Sequence, residues 1–238
     1  MEIALFGYGK MGHEIESVAI ERGHRILLLV DSEDDWKKYG SELIDADVAI
    51  DFSTPEFAVS NIHKCFTACI PVVSGTTGWH SQLGQIRNEC IEKKATLFFA
   101  SNFSLGVNLF FEINRQLAKM INAQHGYKVS IQEIHHIHKL DKPSGTAITL
   151  ANDIIGQIDR LNSWTGEENP APGELPVHSS RQGEVIGTHI VSYSSEPDTI
   201  EIKHIANNRR GFALGAVLAA EYIHGKTGFF GMSDLLKT

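Results

Sequence analysis

The chain has 238 residues, of which 42% are hydrophobic and 21% are charged. This composition excludes a disordered, collagen-like or low-complexity chain, because there are enough apolar residues to bury a core. The formal net charge is −8, from 29 Asp and Glu against 21 Lys and Arg, and a field of that sign repels phosphate backbones. We therefore expect no nucleic-acid partner.

The sequence also argues against a membrane or exported protein. Its apolar runs are far shorter than the ~20 residues needed to span a bilayer. Glu2 stands where a signal peptide has a basic region, and three cysteines are an odd, sparse set for a disulfide framework. These features predict a cytoplasmic protein with reduced thiols and no membrane partner.

The first part of the chain alternates short apolar runs with helical patterns. One helix start is marked by Thr54 as the N-cap and Pro55 as the first helical residue. Strands separated by helices in this way form βαβ units, and hence a doubly wound parallel sheet covered on both faces. The predicted strands are Glu2–Phe6, Ile26–Val30, Val48–Phe52, Pro71–Ser74 and Thr96–Ala100.

After Ser101 the pattern changes, and strands begin to follow one another. Consecutive strands favour a mixed or mostly antiparallel sheet. Residues 164–176 hold three of the seven prolines and predict an exposed loop. The other predicted elements are a helix from about Gly106 to Ile121, a strand at Lys128–His136, a helix at Ala147–Ile158, strands at Val185–Ser194 and Thr199–Ala206, and a final helix at Phe212–His224.

A glycine pattern typical of dinucleotide binding follows the first strand. Gly7 permits a tight turn, Gly9 lets a pyrophosphate approach the backbone, and Gly12 lets the helix pack closely on the strand. The helix N-terminus then offers free N–H groups to the phosphates. Asp31 ends the second strand, where a carboxylate can bind the ribose hydroxyls. The alternative is a glycine turn that serves packing alone, which the combination of strand, turn, helix and acid disfavours.

Two further segments lie at the carboxyl ends of predicted strands, where a doubly wound sheet binds its ligands. Gly75–Thr77 follows the fourth strand and Ala100–Phe103 follows the fifth. Their backbone groups and hydroxyls can frame a nicotinamide, although each segment taken alone is as well explained by a polar turn.

The densest group of chemically active residues lies at 133–146. Ser144 and Thr146 begin a predicted helix, whose free N–H groups make a carboxylate site. Imidazole and ammonium groups beside it can supply a proton near neutral pH. A metal site built from His135, His136 and His138 is the alternative. We predict no metal, because neighbouring side chains on a strand point to opposite faces and no carboxylate stands at an obvious ligand spacing.

The block HHIHKLDKPSGTA at 135–147 resembles the signature of the dihydrodipicolinate reductases (4-hydroxy-tetrahydrodipicolinate reductases) of lysine biosynthesis. The other matching pieces, in family order, are GYGKMG at 7–12, DFSTPE at 51–56, GTTGW at 75–79, ASNFSLGVN at 100–108, RQGEVIGTH at 181–189 and FALGAVLAA at 212–220. The resemblance therefore covers nearly the whole chain. It departs from the family in a shorter segment between Asp31 and Asp51, in Lys142, where a small residue is usual, and in a poorly matching stretch at 164–180.

The resemblance implies a role for each matching residue. His135 is implied as the proton donor and acceptor, Lys139 as a proton donor, and His136 as a substrate-binding residue, while Gly145 and Thr146, beside Ser144, bind a substrate carboxylate. The implied cofactor contacts are Gly7, Tyr8, Gly9, Lys10, Met11, Gly12, Asp31, Gly75, Thr76, Thr77, Ala100, Ser101, Asn102 and Phe103. The family also implies NADH or NADPH as the cofactor and a homotetramer formed through the sheet of the second domain.

We therefore expect a two-domain α/β reductase. A Rossmann-like doubly wound domain at 1–103, completed by 209–238, binds the dinucleotide, and an α+β mixed-sheet domain at 104–208 binds the substrate and forms the oligomer. The expected reaction is reduction of a cyclic dicarboxylate imine, with NADH preferred because Asp31 is followed by acidic rather than basic residues. The alternatives are another nicotinamide-dependent reductase of a small dicarboxylate and a non-catalytic nucleotide-sensing module.

Overall fold

A computed structural model describes residues 1–167 and 169–237, which form two compact units. The first unit comprises Met1–Leu105 together with the C-terminal segment that begins at Arg209, and the second comprises Gly106–Asn208. Among the described residues, no helix combines the length and the apolar character that crossing a membrane requires.

The first unit contains a six-stranded sheet in which every neighbouring pair of strands is parallel. Its strands, in spatial order, are β11 (Gly228–Phe230), β5 (Thr96–Phe99), β4 (Val72–Ser74), β3 (Val48–Asp51), β1 (Glu2–Phe6) and β2 (Arg25–Val30). The strand order reverses between β1 and β3, and a doubly wound sheet binds ligands outside the carboxyl ends of the strands at such a point.

Helices cover both faces of this sheet, because successive side chains along a strand point to opposite sides. Ile3 and Leu5 of β1 join one buried cluster, and Ala4 and Phe6 join the other. The helices of the unit are α1 (Lys10–Glu21), α2 (Glu33–Tyr39), α3 (Pro55–Ala68), α4 (Leu83–Glu92), α7 (Arg210–Ile223) and α8 (Met232–Leu235), with short 3₁₀ turns at Gly40–Asp45 and His80–Gln82.

The second unit packs two helices on a five-stranded mixed sheet. Its spatial strand order is β10 (Thr199–Ala206), β9 (Gly187–Ser194), β6 (Lys128–His135), β8 (Glu174–Arg181) and β7 (Ser163–Thr165). The central strand β6 is antiparallel to β9 and parallel to β8. Helices α5 (Leu105–Asn122) and α6 (Gly145–Ile155) bury their apolar side chains with those of the sheet in one cluster.

The predicted fold class is confirmed, with two local corrections. The loop expected at residues 164–176 is wrong in part, since Trp164 and Thr165 lie in β7 and residues 174–176 begin β8. Pro176 does not exclude a strand there, although proline is uncommon in sheets. Glu168, which also falls in that expected loop, lies outside the described residues. The strand expected at Val185–Ser194 begins only at Gly187.

Candidate active site

The glycine loop of the first unit has the shape that a dinucleotide requires. Gly7 has a φ of 86°, and a Cβ there would lie 2.3 Å from the Phe52 carbonyl oxygen, so no larger residue fits this turn. A Cβ at Gly12 would lie 2.4 Å from the Gly7 carbonyl oxygen. At Gly9, by contrast, a Cβ would meet no atom within 4 Å, and Gly9 caps α1 without a side-chain hydrogen bond. The backbone is therefore open to a phosphate at this helix N-terminus.

Asp31 fixes the glycine loop to the end of β2. Its Oδ1 accepts a hydrogen bond from the Tyr8 backbone N–H at 2.6 Å, while its side chain remains exposed. Asp31 also lines a cavity together with Gly7, Trp36 and Phe57. Since one carboxylate oxygen is free of this bond, the site suits a ribose hydroxyl next to the pyrophosphate loop.

The lysines that lie closest to Asp31 in the sequence after β2 are already engaged. Lys37 Nζ pairs with Asp34 at 2.8 Å, and Lys38 lies 4.7 Å from the centre of the Tyr39 ring. Lys64 on α3, which no sequence motif marks, has its Nζ 3.9 Å from the centre of the Trp36 ring. Lys64 therefore places a positive charge beside a wall of the Asp31 cavity.

A second cavity in the same unit collects residues from the other predicted cofactor segments. Gly75, Thr76 and Thr77 line it with Met11 and Ser53. A Cβ at Gly75 would lie 2.2 Å from the Phe52 ring, so a larger residue there would have to displace that ring.

The remaining predicted cofactor contacts differ in exposure. Lys10 and Ser101 are exposed, and the Tyr8 hydroxyl donates to Glu16. The Asn102 Oδ1 accepts from the Ser104 N–H. Phe103 is 2% exposed and belongs to the core, so the structure does not present it to a ligand. Ala100 is half-buried.

In the second unit, a buried carboxylate organises the predicted catalytic histidine. Glu133 Oε2 lies 2.8 Å from His135 Nδ1, and both residues lie on the same face of β6. Burial by itself would raise the pKa of Glu133, but its contacts with His135 and Ser144 outweigh burial and hold the pKa well below the ordinary value. Glu133 is therefore an anion at neutral pH, and its carboxylate lies directly beside the His135 imidazole.

His189 on β9 completes this cluster from the neighbouring strand. The register of β6 and β9 sets Glu133 opposite His189, and the imidazole Nε2 lies 3.9 Å from Glu133 Oε2. Burial, together with the neighbouring His135, lowers the pKa of His189 to about 4. The His189 ring is therefore neutral at neutral pH. Gly187 leaves room beside this cluster, since a Cβ there would lie 3.1 Å from His135 Nε2.

Arg181, at the end of β8, connects the loop at 136–143 to the sheet through hydrogen bonds. One guanidinium nitrogen donates to Glu133 Oε1 at 3.2 Å, Nε donates to the Lys139 carbonyl at 3.1 Å, and Nη2 donates to the Asp141 carbonyl. These bonds hold the segment that follows His135 close to Glu133. They also balance the buried negative charge of Glu133.

The N-terminus of α6 is the predicted carboxylate site. Ser144 is its N-cap, and the hydroxyl accepts from the Ala147 N–H at 3.2 Å and also lies 3.2 Å from His189 Nε2. Ser144 is 2% exposed, so its hydroxyl is used within the protein. Gly145 is exposed and Thr146 half-buried, and the first N–H groups of a helix lack partners within the helix.

The other predicted residues of this loop are more exposed. Lys139 Nζ pairs with Asp141 at 2.8 Å, and the lysine side chain keeps 25% of its exposure. His136 is half-buried, and its ring lies 6.1 Å from that of His138, which is exposed and contacts Glu184.

The histidines of the motif do not assemble the metal site that the sequence analysis considered. Instead, ligand atoms of Glu133, His135 and His189 lie within 4.8 Å of one another, close enough to hold an ion. The expectation that no carboxylate stands at an obvious ligand spacing was therefore wrong for Glu133 and His135. The prediction that the protein needs no metal stays a prediction.

The comparisons with known proteins identify the family. Models for the N-terminus and the C-terminus of dihydrodipicolinate reductase match residues 1–103 and 106–236. A relative from Christiangramia forsetii, named 4-hydroxy-tetrahydrodipicolinate reductase, is 50% identical over 236 residues, which are 99% of this chain and 98% of that protein. The chain belongs to the dihydrodipicolinate reductase family. This confirms the resemblance and makes the chain an oxidoreductase that uses a nicotinamide cofactor.

More distant relatives agree with this family. A Neisseria gonorrhoeae protein of the same name is 36% identical over 201 residues, which are 82% of this chain and 74% of that protein. A solved structure of dipicolinate-bound dihydrodipicolinate reductase from Paenisporosarcina sp. TG-14 matches 97% of each chain with a TM-score of 0.80 at 23% identity. A probable dehydrogenase from Thermotoga maritima, at 11% identity, covers 99% of this chain and 92% of its own with a TM-score of 0.58. The two solved structures confirm the fold.

Proposed function

We propose that this family member reduces 4-hydroxy-tetrahydrodipicolinate to tetrahydrodipicolinate in the cytoplasm, in the pathway to diaminopimelate and lysine. The name of the relatives that match nearly the whole chain supports this substrate. The observation that carries the proposal is the buried Glu133 anion beside His135, next to an uncovered helix N-terminus.

The first unit binds the cofactor in this proposal. The pyrophosphate lies on the Gly7–Gly12 loop, the ribose near the adenine binds Asp31, and the nicotinamide lies near Gly75–Thr77 and Ala100–Phe103. Support comes from the open backbone at Gly9 and from the free face of the Asp31 carboxylate. When bound, NADH or NADPH supplies a hydride to the substrate.

The second unit binds the substrate and moves the proton. The N–H groups of Gly145 and Thr146 and the Thr146 hydroxyl hold one substrate carboxylate, with His136 nearby. The Glu133 carboxylate, 2.8 Å from His135 Nδ1, holds the imidazole in position. The balanced reaction adds one hydride and one proton to the substrate and releases its 4-hydroxyl group as water. His135 and Lys139 deliver the proton to the ring of the substrate. Ser144 contributes by capping α6 rather than by contact through its hydroxyl.

Substitutions of His135 and Lys139 test the proton-transfer step. His135→Gln and Lys139→Ala each remove one proton donor, and loss of a general acid costs ~10² to 10⁴ in rate. We expect kcat to fall by about that factor, while the Kd for NADH measured by fluorescence stays within about twofold of the original value. Turnover equal to that of the unmodified protein in both variants would contradict the assignment.

The matched control is His138→Gln. His138 lies on the same loop as His135, but its side chain is 70% exposed and pairs with Glu184. We expect this variant to keep its turnover. An equal loss in His138→Gln would mean that the loop as a whole, rather than His135, is responsible.

We also propose a homotetramer formed through the sheet of the second unit. β10 is an edge strand of this sheet, with Ile200 39% and Ile205 52% exposed, and edge strands with apolar side chains favour pairing with another chain. Sedimentation equilibrium should give four times the chain mass of 26.3 kDa. Ile205→Lys should lower that mass, and a monomer in the unmodified protein would refute the assembly.

A further inference from the structure

A buried carboxylate in the first unit is hydrogen-bonded to residues that line the Asp31 cavity and the Gly75 cavity. Asp51, at the end of β3, is fully buried and accepts four hydrogen bonds from neutral side chains. Its Oδ1 accepts from Asn61 Nδ2 at 2.9 Å and from Ser53 Oγ at 2.7 Å. Its Oδ2 accepts from Thr76 Oγ1 at 2.7 Å and from Ser74 Oγ at 3.2 Å.

This network continues from Asp51 to aromatic side chains on either side. Asn61 Oδ1 accepts from Trp36 Nε1 at 3.1 Å, and the Thr76 carbonyl accepts from Trp79 Nε1 at 2.8 Å. A connected set of hydrogen bonds therefore runs from Trp36 through Asp51 to Trp79. The roles of the Asn61 amide atoms follow from this network, since its nitrogen faces a carboxylate and its oxygen faces an N–H group.

The network joins the walls of two different cavities. Trp36 and Asn61 line the cavity that contains Asp31, whereas Thr76 lines the cavity that contains Gly75. Ser53 lines both. The two oxygens of Asp51 thus divide between the two cavities, with Asn61 on one oxygen and Thr76 on the other.

We propose that Asp51 is a positioning residue that couples the two ends of the cofactor-binding region. The Asp31 cavity is its adenosine end, and the Gly75 cavity is its nicotinamide end. This inference rests on the proposed placement of the cofactor in the two cavities. Asp51 touches no reacting atom; it acts through Asn61 and Trp36 on one side and through Thr76 on the other.

Burial of the Asp51 carboxylate is costly, which indicates that this residue has a role beyond packing. Burial raises the pKa of Asp51 and opposes its ionisation, and the hydrogen bonds from Asn61, Ser53, Thr76 and Ser74 only partly offset this. Apolar residues of similar volume pack such a position at lower cost than a carboxylate. A fully satisfied polar network, however, fixes one arrangement of its members and resists piecemeal change.

Cofactor fragments provide the test, because each fragment occupies one end of the cofactor-binding region. Trp36→Phe removes the N–H that donates to Asn61 and keeps an aromatic ring, while Thr76→Val removes the hydroxyl that donates to Asp51 and keeps the shape. The probes are AMP for the adenosine end and reduced nicotinamide mononucleotide for the nicotinamide end. Their Kd values are measured by calorimetry together with that of NADH.

Coupling predicts effects at the opposite end of the cofactor-binding region. Trp36→Phe should weaken binding of reduced nicotinamide mononucleotide, and Thr76→Val should weaken binding of AMP, each by at least about threefold, since residues of one network depart from independent behaviour by such factors. We call these two losses of affinity at the opposite end the cross-effects. In the Asp51→Asn background, where an amide NH₂ replaces one carboxylate oxygen, both cross-effects should fall below about twofold. Absence of the cross-effects in the native background would overturn the proposal, and so would cross-effects that stay equally large in the Asp51→Asn background.

The matched control is Phe57→Leu. Phe57 lines the Asp31 cavity but takes no part in the Asp51 hydrogen bonds. This variant should therefore weaken the binding of AMP and leave the Kd of reduced nicotinamide mononucleotide unchanged. If Asp51→Asn does not fold, the cross-effects in the native background decide the question alone. Failure of the unmodified protein to bind NADH would refute the cofactor placement itself, whereas NADH binding without cross-effects would refute only the coupling.

Discussion

We propose that the choice between NADH and NADPH depends most directly on Asp31. Its carboxylate holds the glycine loop through the Tyr8 N–H and stays exposed at the cavity where the adenosine ribose is proposed to bind. A carboxylate there accepts hydrogen bonds from ribose hydroxyls and repels a 2′-phosphate. Lys64 Nζ lies 3.9 Å from the centre of the Trp36 ring, which lines the same cavity as Asp31.

We therefore expect both cofactors to be used, with NADH preferred. Asp31→Ser should lower the ratio of kcat/KM with NADH to kcat/KM with NADPH by about tenfold. Removal of one close charge repulsion is worth about 1.4 kcal/mol, which is a tenfold change. Steady-state kinetics with both cofactors check this. A kcat/KM clearly higher with NADPH in the unmodified enzyme would refute the assignment of Asp31.

At the scale of single residues, only part of the candidate site could be predicted from the sequence. Glycine turns and the Asp31 position could be predicted, because their spacing relative to strands is local. The sequence alone assigns no role to Glu133, the first residue of the 133–146 segment, or to Arg181 and His189 in RQGEVIGTH. Their function depends on the register between β6, β8 and β9, which brings the three side chains together. No local spacing encodes that register.

At the scale of elements, the pairing of β6 with β9 creates a pH dependence of stability. His189 faces Glu133 across this pair and has a pKa lowered from 6.5 to about 4, mainly by burial. Between those values the unfolded chain binds a proton that the folded chain does not. Stability is therefore lost as the pH falls through this window, by up to about 3 kcal/mol in total.

His189→Gln should remove this part of the pH dependence. We expect urea unfolding to show a smaller loss of free energy between about pH 7 and pH 5 in the variant than in the unmodified protein. His125→Gln is the control, because His125 is exposed on a turn of the same unit. An unchanged loss in His189→Gln would show that other groups cause the acid sensitivity.

Elements were predictable where periodicity is strong. The five strands β1 to β5 and the long helices follow from apolar spacing, whereas β8 was hidden by Pro176 and by polar residues at 178–180. No sequence signal marks strand β11, which is fixed by its parallel pairing with β5. Partner strands, not propensity, determine both segments.

At the scale of the whole molecule, two units contribute different chemistry to one proposed reaction. The first offers a glycine loop, an acid and two joined cavities, and the second offers an ionised Glu133, His135, Lys139 and the start of α6. A non-catalytic nucleotide sensor would not need the second set. Membership of a reductase family agrees with the presence of both.

A coupled assay tests the central claim most directly. The product of the lysine-pathway synthase is generated in place and offered with NADH, and loss of NADH absorbance is followed in the unmodified protein and in His135→Gln. We predict rapid loss with the unmodified protein, slowed by about 10² or more in the variant. No loss of NADH absorbance with this product, or oxidation only with a different small dicarboxylate, would contradict the account.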